Sequence, residues 1–349
     1  MYNARDQAII LKELQDYSQL PVSKIEGTFE YDVFASNSIE FSKTEVEIEQ
    51  AYKAAFILTS WGDYLTYAAS GLGVERKLAV AAKGYVTVTG NGDVPAGSLF
   101  ATVDGIQFRT TEFCAVKNSA DIPIEATKPG IEGNVKEGLI TVISLSIPGI
   151  MSVTNNAATY DGFDEELDEE LKQRVLFKYR NAITSGNENH YKLWAMSVPG
   201  VGAVTVRKLW KGRGTVKVVI MDANHEPASD SLLNQVRDYI DSQRPATADV
   251  TIVAPSTKPI EIRIHGVIGT LDEDGVKKAI KSFLSTELFN GESLSTAQVG
   301  HIILDNKETG VSDYTDIELV DTTNSISASK IILNQDELPK ITKVVVIND

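Results

Sequence analysis

The chain has 349 residues, 42% hydrophobic and 23% charged, enough to bury the cores of two or three domains without disulfide or metal staples. Its 33 basic residues face 48 acidic ones, and the formal net charge of −15 opposes binding to nucleic acid and to anionic lipid. A single cysteine, Cys114, excludes an internal disulfide and a thiolate cluster, and no apolar run reaches the length of a membrane span.

The N-terminus has charges of both signs and lacks the basic segment and small-residue cleavage site of a signal peptide, so standard secretion is not expected. Residues 5–17 place Ile9, Ile10, Leu14 and Tyr17 at helical spacing, and Pro21 closes that helix. Residues 26–42 mix aromatics with acids and hold no sustained period. They read either as an extended arm whose Phe29, Tyr31 and Phe34 need a partner surface, or as a loop folded back on its own domain. Over residues 44–70, Ile48, Ala51, Tyr52, Ala55, Leu58, Thr59, Gly62 and Leu65 step by threes and fours, which predicts a long helix ended by Gly71 and Gly73. The small residues Ala51, Ala55 and Gly62 let another helix approach closely, from a local hairpin or from another subunit. A shorter helix is expected over 75–82.

The period then switches to two. Residues 85–89, 99–103, 106–110, 122–126 and 139–145 read as strands. Asn91-Gly92 and Asp104-Gly105 supply hairpin turns, and Pro123 points to an edge strand. The glycines of residues 90–97 are turn glycines, since no helix and no Lys-Ser or Lys-Thr follows them as a phosphate loop requires. A helix is expected from an Asp164 N-cap, with Phe163, Leu167, Leu171 and Val175 as its apolar stripe. Glu165, Glu166, Glu169 and Glu170 would lie on a solvated face, and Lys172, Arg174, Lys178 and Arg180 toward the C-terminus suit the helix dipole. A second helix around Tyr191, Trp194, Ala195 and Val198 stops at Pro199-Gly200.

Two α+β units follow. The first runs strand 203–209, strand 215–221, helix 231–242, strand 249–253; the second runs strand 260–268, helices 272–288 and 295–304, and strands 314–320 and 341–347. The expected architecture is thus α+β multidomain: an N-terminal helical segment with an extended arm (1–83), a small β domain (84–155) and two α+β units (156–255 and 256–349).

Chemistry-bearing patterns do not emerge. His190, His225, His265 and His301 lie in different expected elements, and Pro227 breaks the one His-Glu pair as a metalloprotease helix. In the acidic run 161–170, Phe163 and Glu166 stand where a calcium loop needs an oxygen ligand and a glycine. Cys114 has no activating neighbour and reads as an inert thiol. The basic cluster Arg207, Lys208, Lys211 and Arg213 around Trp210 reads as a solvated hairpin tip, too small for a phosphate footprint. Neither a nucleophile elbow nor a Cys/His arrangement is present. The expectation is a chain with no catalytic residues, no cofactor and no metal.

Gly162, Asp164, Glu166, Asp168, Leu171 and Arg174 stand at the spacing G-x-D-x-E-x-D-x-x-L-x-x-R, followed by Tyr191, Trp194, Ala195, Val198, Pro199, Gly200 and Val201. Upstream, Gly62 with Leu65, Gly73-Val74 with Arg76, the glycine-rich run from Gly84 to Gly97, and Gly133-Asn134-Val135 keep the same order. Together they resemble the phage baseplate J-like family, with a departure at Phe163 and Glu165, where members often carry a small residue and a proline. The resemblance implies a structural wedge subunit in the baseplate of a contractile phage tail, tail-like bacteriocin or related injection system, assembled in the bacterial cytoplasm. Its partners would be other copies of itself, neighbouring wedge, hub or spike and sheath-proximal proteins, with no nucleic acid and no membrane. It would transmit the rearrangement that triggers sheath contraction. Phe29, Tyr31, Phe34, Ala51, Ala55 and Gly62 are the candidate subunit-interface residues. The rival readings are a tail-associated cell-wall glycoside hydrolase and a host-glycan receptor-binding module.

Overall fold

Residues 2–19, 21, 23–181, 184, 186–287, 293–334 and 336–347 are described by a computed structural model in which the chain forms two units. One is Met1–Arg76 with Glu166–Arg180; the other is Lys77–Glu165 with Asn181–Asp349. The fold is mixed α+β.

The first unit holds α1 (Gln7–Tyr17), α2 (Phe29–Ala54), α3 (Gly62–Ser70) and α4 (Asp168–Arg180). Asp6 caps α1 by accepting the Ala8 N–H at 2.8 Å. The segment expected as an extended arm or loop is instead the first half of α2. Thr28 caps it, accepting the Tyr31 N–H, and Glu30 and Asp32 sit in its first turn, where the dipole favours negative charge. The helix also ends sooner than its spacing predicts. The Thr59 hydroxyl donates to the Lys53 carbonyl at 2.7 Å, and Gly62 has a positive φ of 51°, outside the helical range, so the chain turns before α3 begins. The expected helix over 75–82 does not form.

In the second unit, β1 (Lys83–Val94), β2 (Leu99–Thr102), β3 (Gln107–Thr110), β4 (Cys114–Ala126), β5 (Ile140–Ile143) and β6 (Ile150–Thr154) make a sheet ordered β5-β2-β3-β4-β1-β6. Alternation sends Val86, Val88, Phe100, Phe108, Ile122, Ile124 and Ile140 into one core. Asp104-Gly105 makes the β2–β3 hairpin as expected, but Asn91-Gly92 makes no turn and lies inside β1. There the backbones of β1 and the chain entering β6 meet so closely that a Cβ on Gly90 or Gly149 would strike the opposite carbonyl; the glycines serve a register shift. Pro123 is likewise not at an edge, since β4 lies between β1 and β3. It stands one residue past the last β3 pair, Thr110↔Ile124. Its carbonyl accepts the Thr111 N–H on that side, so its missing donor falls where β3 has ended.

The next layer is α5 (Glu188–Ser197), β7 (Val201–Lys208), β8 (Thr215–Asp222), α6 (Asp230–Gln243) and β9 (Asp249–Val253), with sheet order β7-β8-β9. The parallel β8–β9 pair needs a crossover, which α6 provides, packing Leu232, Val236 and Ile240 against Val218 and Ile220. Phe163 belongs to this core too, under Gly200, where any side chain would collide with its ring.

The last layer contains β10 (Ser256–His265), β11 (Ile268–Gly269), α7 (Glu273–Glu287), β12 (Ser293–Ser295), α8 (Thr296–Asp305), β13 (Val311–Asp313), β14 (Asp316–Asp321), β15 (Ile326–Ala328), β16 (Lys330–Ile332) and β17 (Glu337–Ile347). Its main sheet runs β15-β14-β10-β17, with Ile260, Ile262 and Ile264 of β10 facing Val276 and Ile280 of α7 and Val299 and Ile303 of α8. A capping box between Ser295 and Gln298 starts α8. Asp336 accepts hydrogen bonds from Arg207 of β7 and, at 2.7 Å, from Lys217 of β8, tying the start of β17 to the preceding layer.

At the end of β8, the Asp222 carboxylate accepts the N–H groups of Asn224 and Glu226, and burial pushes its pKa up from 3.8 to about 6. A raised folded-state pKa gives stabilisation that is full below pH 4 and is lost as pH rises through 6. Asp222→Asn keeps the acceptor oxygen and has no proton to lose. Comparing urea unfolding at pH 4 and pH 7, the native chain should lose roughly 2–3 kcal/mol relative to Asp222→Asn. Equal pH dependence of the two chains would contradict this.

Candidate assembly surface

In the first unit, α1 and α2 are joined by Arg5. Its guanidinium pairs with Glu45 on α2 and, at 2.6 Å, with Glu13 on α1, while its N–H donates to Glu45 at 2.8 Å. These bonds hold the Glu45 carboxyl down at about 2. Next to it, the Ala4 N–H donates to Glu49 at 2.7 Å.

On α2, Phe34, Ser38, Phe41, Glu45, Ile48 and Tyr52 alternate steps of four and three, the spacing of a coiled-coil seam. Only part of that seam is covered. Ser38 and Glu45 are buried, facing Gln7 and Arg5 beside the buried Ile10, whereas Phe41 is 53%, Ile48 48% and Tyr52 41% exposed. Phe41 and Ile48, with Ile10, Leu14 and Tyr17 of α1, line a cavity of about 460 Å³.

The six interface residues expected from sequence do not make one stripe. Phe34 belongs to the seam, Tyr31 continues it three residues earlier, and both are half-buried. Phe29 is exposed, and Ala51 lies about six turns further along α2 and about 40° round the helix from it. Ala55 is exposed just past the helix end, and Gly62 opens α3, donating its N–H to Asp168 at 2.8 Å. Phe41 was missed because its segment reads as non-helical until the 34–52 spacing is taken as one pattern. Arg5 carries no local signal at all, since Glu45 is forty residues away.

A buried ion-pair network holds α4 in the same unit. Arg174 and Glu166, 4% and 3% exposed, pair bidentately at 2.5 and 2.7 Å, and Arg174 also donates to the Glu75 carbonyl. Arg76 donates to Asp168 at 2.6 Å and to the Glu166 carbonyl at 2.7 Å. Bonds from the Gly62 N–H, then from Arg76, hold the Asp168 carboxyl below its usual range. Around this network Leu171 and Val175 bury against Leu65, Ala69 and Val74.

These contacts correct the expected helix. It begins at Asp168, four residues late, and Glu170 reaches back to the Leu167 N–H at 3.2 Å. Asp164 caps nothing there; its carboxylate accepts the Ile131 N–H in the second unit. Of the expected stripe, Phe163 joins another core and Leu167 is exposed, while Glu166 is buried, not solvated. The basic hairpin is also less solvated than expected, because Arg207 turns inward to Asp336.

His190 stacks on Trp194 and accepts the Gly186 N–H, and burial lowers its pKa. The other histidines follow β8 (His225), end β10 (His265) and lie in α8 (His301). Among the described residues, no three His, Cys, Asp or Glu side chains are grouped to hold a metal. No helix among them is long and apolar enough to cross a membrane.

The class so defined is a multidomain α+β protein with a six-stranded β domain and a partly uncovered helical seam. The chain carries two domains of the baseplate J-like family: residues 85–162 match the Baseplate J-like protein barrel domain and residues 183–254 the Baseplate J-like central domain. It is 28% identical to phage-like element PBSX protein XkdT of Bacillus subtilis (strain 168), across 99% of both chains. It is 29% identical to YqbT of the same strain, again across 99% of both. With baseplate protein gp47 of Escherichia phage Mu the identity is 28%, over 74% of this chain and 78% of gp47.

Removing one member of the Glu166–Arg174 pair leaves a buried charge alone. Arg174→Ala should therefore cost about 3–5 kcal/mol in urea unfolding, while Glu166→Leu combined with Arg174→Met should cost much less. Leu171→Ala should cost roughly 2–5 kcal/mol. A loss under 1 kcal/mol for Arg174→Ala would contradict the burial of the pair.

Proposed function

We propose that this chain is a structural wedge subunit of a contractile-tail baseplate, joining copies of itself and neighbouring baseplate proteins and passing on the rearrangement that precedes sheath contraction. The observation that carries the reading is the uncovered seam of α2, in a chain whose relatives include a protein named as a Mu baseplate component. Exposed Phe41, Ile48 and Tyr52 at coiled-coil spacing suit a further helix, and such a seam is stable only when covered. Phe29, Tyr31, Phe34, Ala51, Ala55 and Gly62 would lie in or beside that contact. With partners of this kind the chain would sit in the tail baseplate, on a particle assembled in the cytoplasm.

A non-enzymatic role is supported by the carboxylates. Among the described residues, the buried acids Glu45, Glu166 and Asp321 each pair with a cation, Arg5, Arg174 and Lys258, and Asp222, whose pKa burial raises, is bound by the N–H groups of its own turn.

Deleting residues 1–70 is a poor test, since it also strips Leu65 and Ala69 from Leu171 and Val175. Point changes on the exposed seam are better. Phe41→Ser with Ile48→Ser, which adds no charge beside Glu45, should leave the chain folded at a cost of about 1–3 kcal/mol in unfolding. In a host lacking the native gene, this variant should give sheath and tube without a complete baseplate by negative-stain microscopy. Normal particles from it would overturn the proposal.

A further inference from the structure

On a chain of net charge −15, one cavity gathers basic side chains. It lies in the second unit, measures about 370 Å³, and has an apolar floor that includes Met221, Leu338 and Ile341. Lys277, Lys278 and Lys281 of α7 stand on one side and Lys340 of β17 on another. A carboxylate already enters it. Glu226, on the turn after β8, accepts from Lys281 at 2.6 Å, and the Asp222 carboxylate fixes that turn through the N–H groups of Asn224 and Glu226.

The remaining lysines are not committed to the cavity floor. Lys278 pairs with Glu308 at 3.0 Å on exposed side chains, a pairing that contributes little and exchanges readily, whereas Lys277 is half-buried and holds Glu273 at 2.8 Å. Lys340 is exposed and has no carboxylate partner among the described residues. Its strand is the outer one of the sheet, so alternate backbone groups beside the cavity point away from β10. A cavity at the small end of ligand sites, largely apolar, rimmed by amines and flanked by a strand edge, fits an extended peptide better than a phosphate, which gains nothing from the apolar floor.

We propose that this cavity docks an acidic, extended segment of a neighbouring polypeptide. One apolar side chain would fill the floor, and carboxylates on either side would meet Lys340 and the α7 lysines. That the neighbour is another baseplate subunit rests on the preceding reading; the docking chemistry does not.

The test uses the full chain and a fluorescein-labelled octapeptide of alternating glutamate and valine, read by fluorescence anisotropy. The native chain should bind it, and Lys281→Glu with Lys340→Glu should weaken binding at least about tenfold, with thermal melting unchanged. Should that variant melt early, Lys340→Gln alone should still weaken binding measurably. A control peptide with glutamine for glutamate should not compete. No binding, equal binding of the glutamine peptide, unchanged affinity in the lysine variants, or equal competition by inorganic polyphosphate would each overturn the proposal. Carbodiimide coupling of assembled particles then tests the neighbour's identity: cross-links from Lys340 to acids of another baseplate subunit support it. Peptide binding without such cross-links would keep the docking site and refute the baseplate partner.

Discussion

The buried pair between Glu166 and Arg174 is the constraint on which the first unit depends. Two charges taken out of water are tolerated only when each meets the other with good geometry and the leftover donors find acceptors. Here the guanidinium meets both carboxylate oxygens and the Glu75 carbonyl, and Arg76 closes over the Glu166 backbone and Asp168. This network brings a segment more than ninety residues distant into the N-terminal unit, where Leu171 and Val175 complete a small apolar core. Without that core, α3 would have few apolar partners.

The same network explains how the run from Gly162 to Arg174 works. Its first part serves the second unit: Gly162 is clasped by Asn134 through N–H and carbonyl, Phe163 fills a core, and Asp164 holds the Ile131 N–H. Its second part, Glu166, Asp168, Leu171 and Arg174, serves the first. A run that reads as one amphipathic helix is a strap with different duties at its two ends. Its acids are distributed accordingly, and only some of them face water.

Much of the second unit was legible because its elements bury one clean face. Strands β7 to β10 and helices α6 and α8 carry their apolar residues at periods of two or 3.6, and the structure places them within a few residues of expectation. Helix α2 was legible only in its second half, because it buries just Ser38 and Glu45 and so leaves no apolar period for its own domain to impose. Its order comes from Thr28 at the start, from Arg5 just ahead of α1, and from a seam that is incomplete within one chain. Asn91-Gly92 and Pro123 misled for a related reason: their local preferences are real, but the approach of Gly149 and the end of β3 decide what the backbone does with them. The Glu166–Arg174 pairing lies eight residues apart and off any helical neighbour rule, so spacing could not disclose it.

The helices of the first unit thus hold together through ion pairs while leaving an apolar seam outward, an arrangement suited to a subunit completed by others. Hydrogen–deuterium exchange on the isolated chain and on intact particles tests this most directly. In the free chain, the backbone of α2 around Phe41 to Tyr52 should exchange quickly, and in the particle it should become among the most protected segments. Unchanged exchange in α2, with new protection confined to the second unit, would contradict the assignment of the assembly surface to the N-terminal helices.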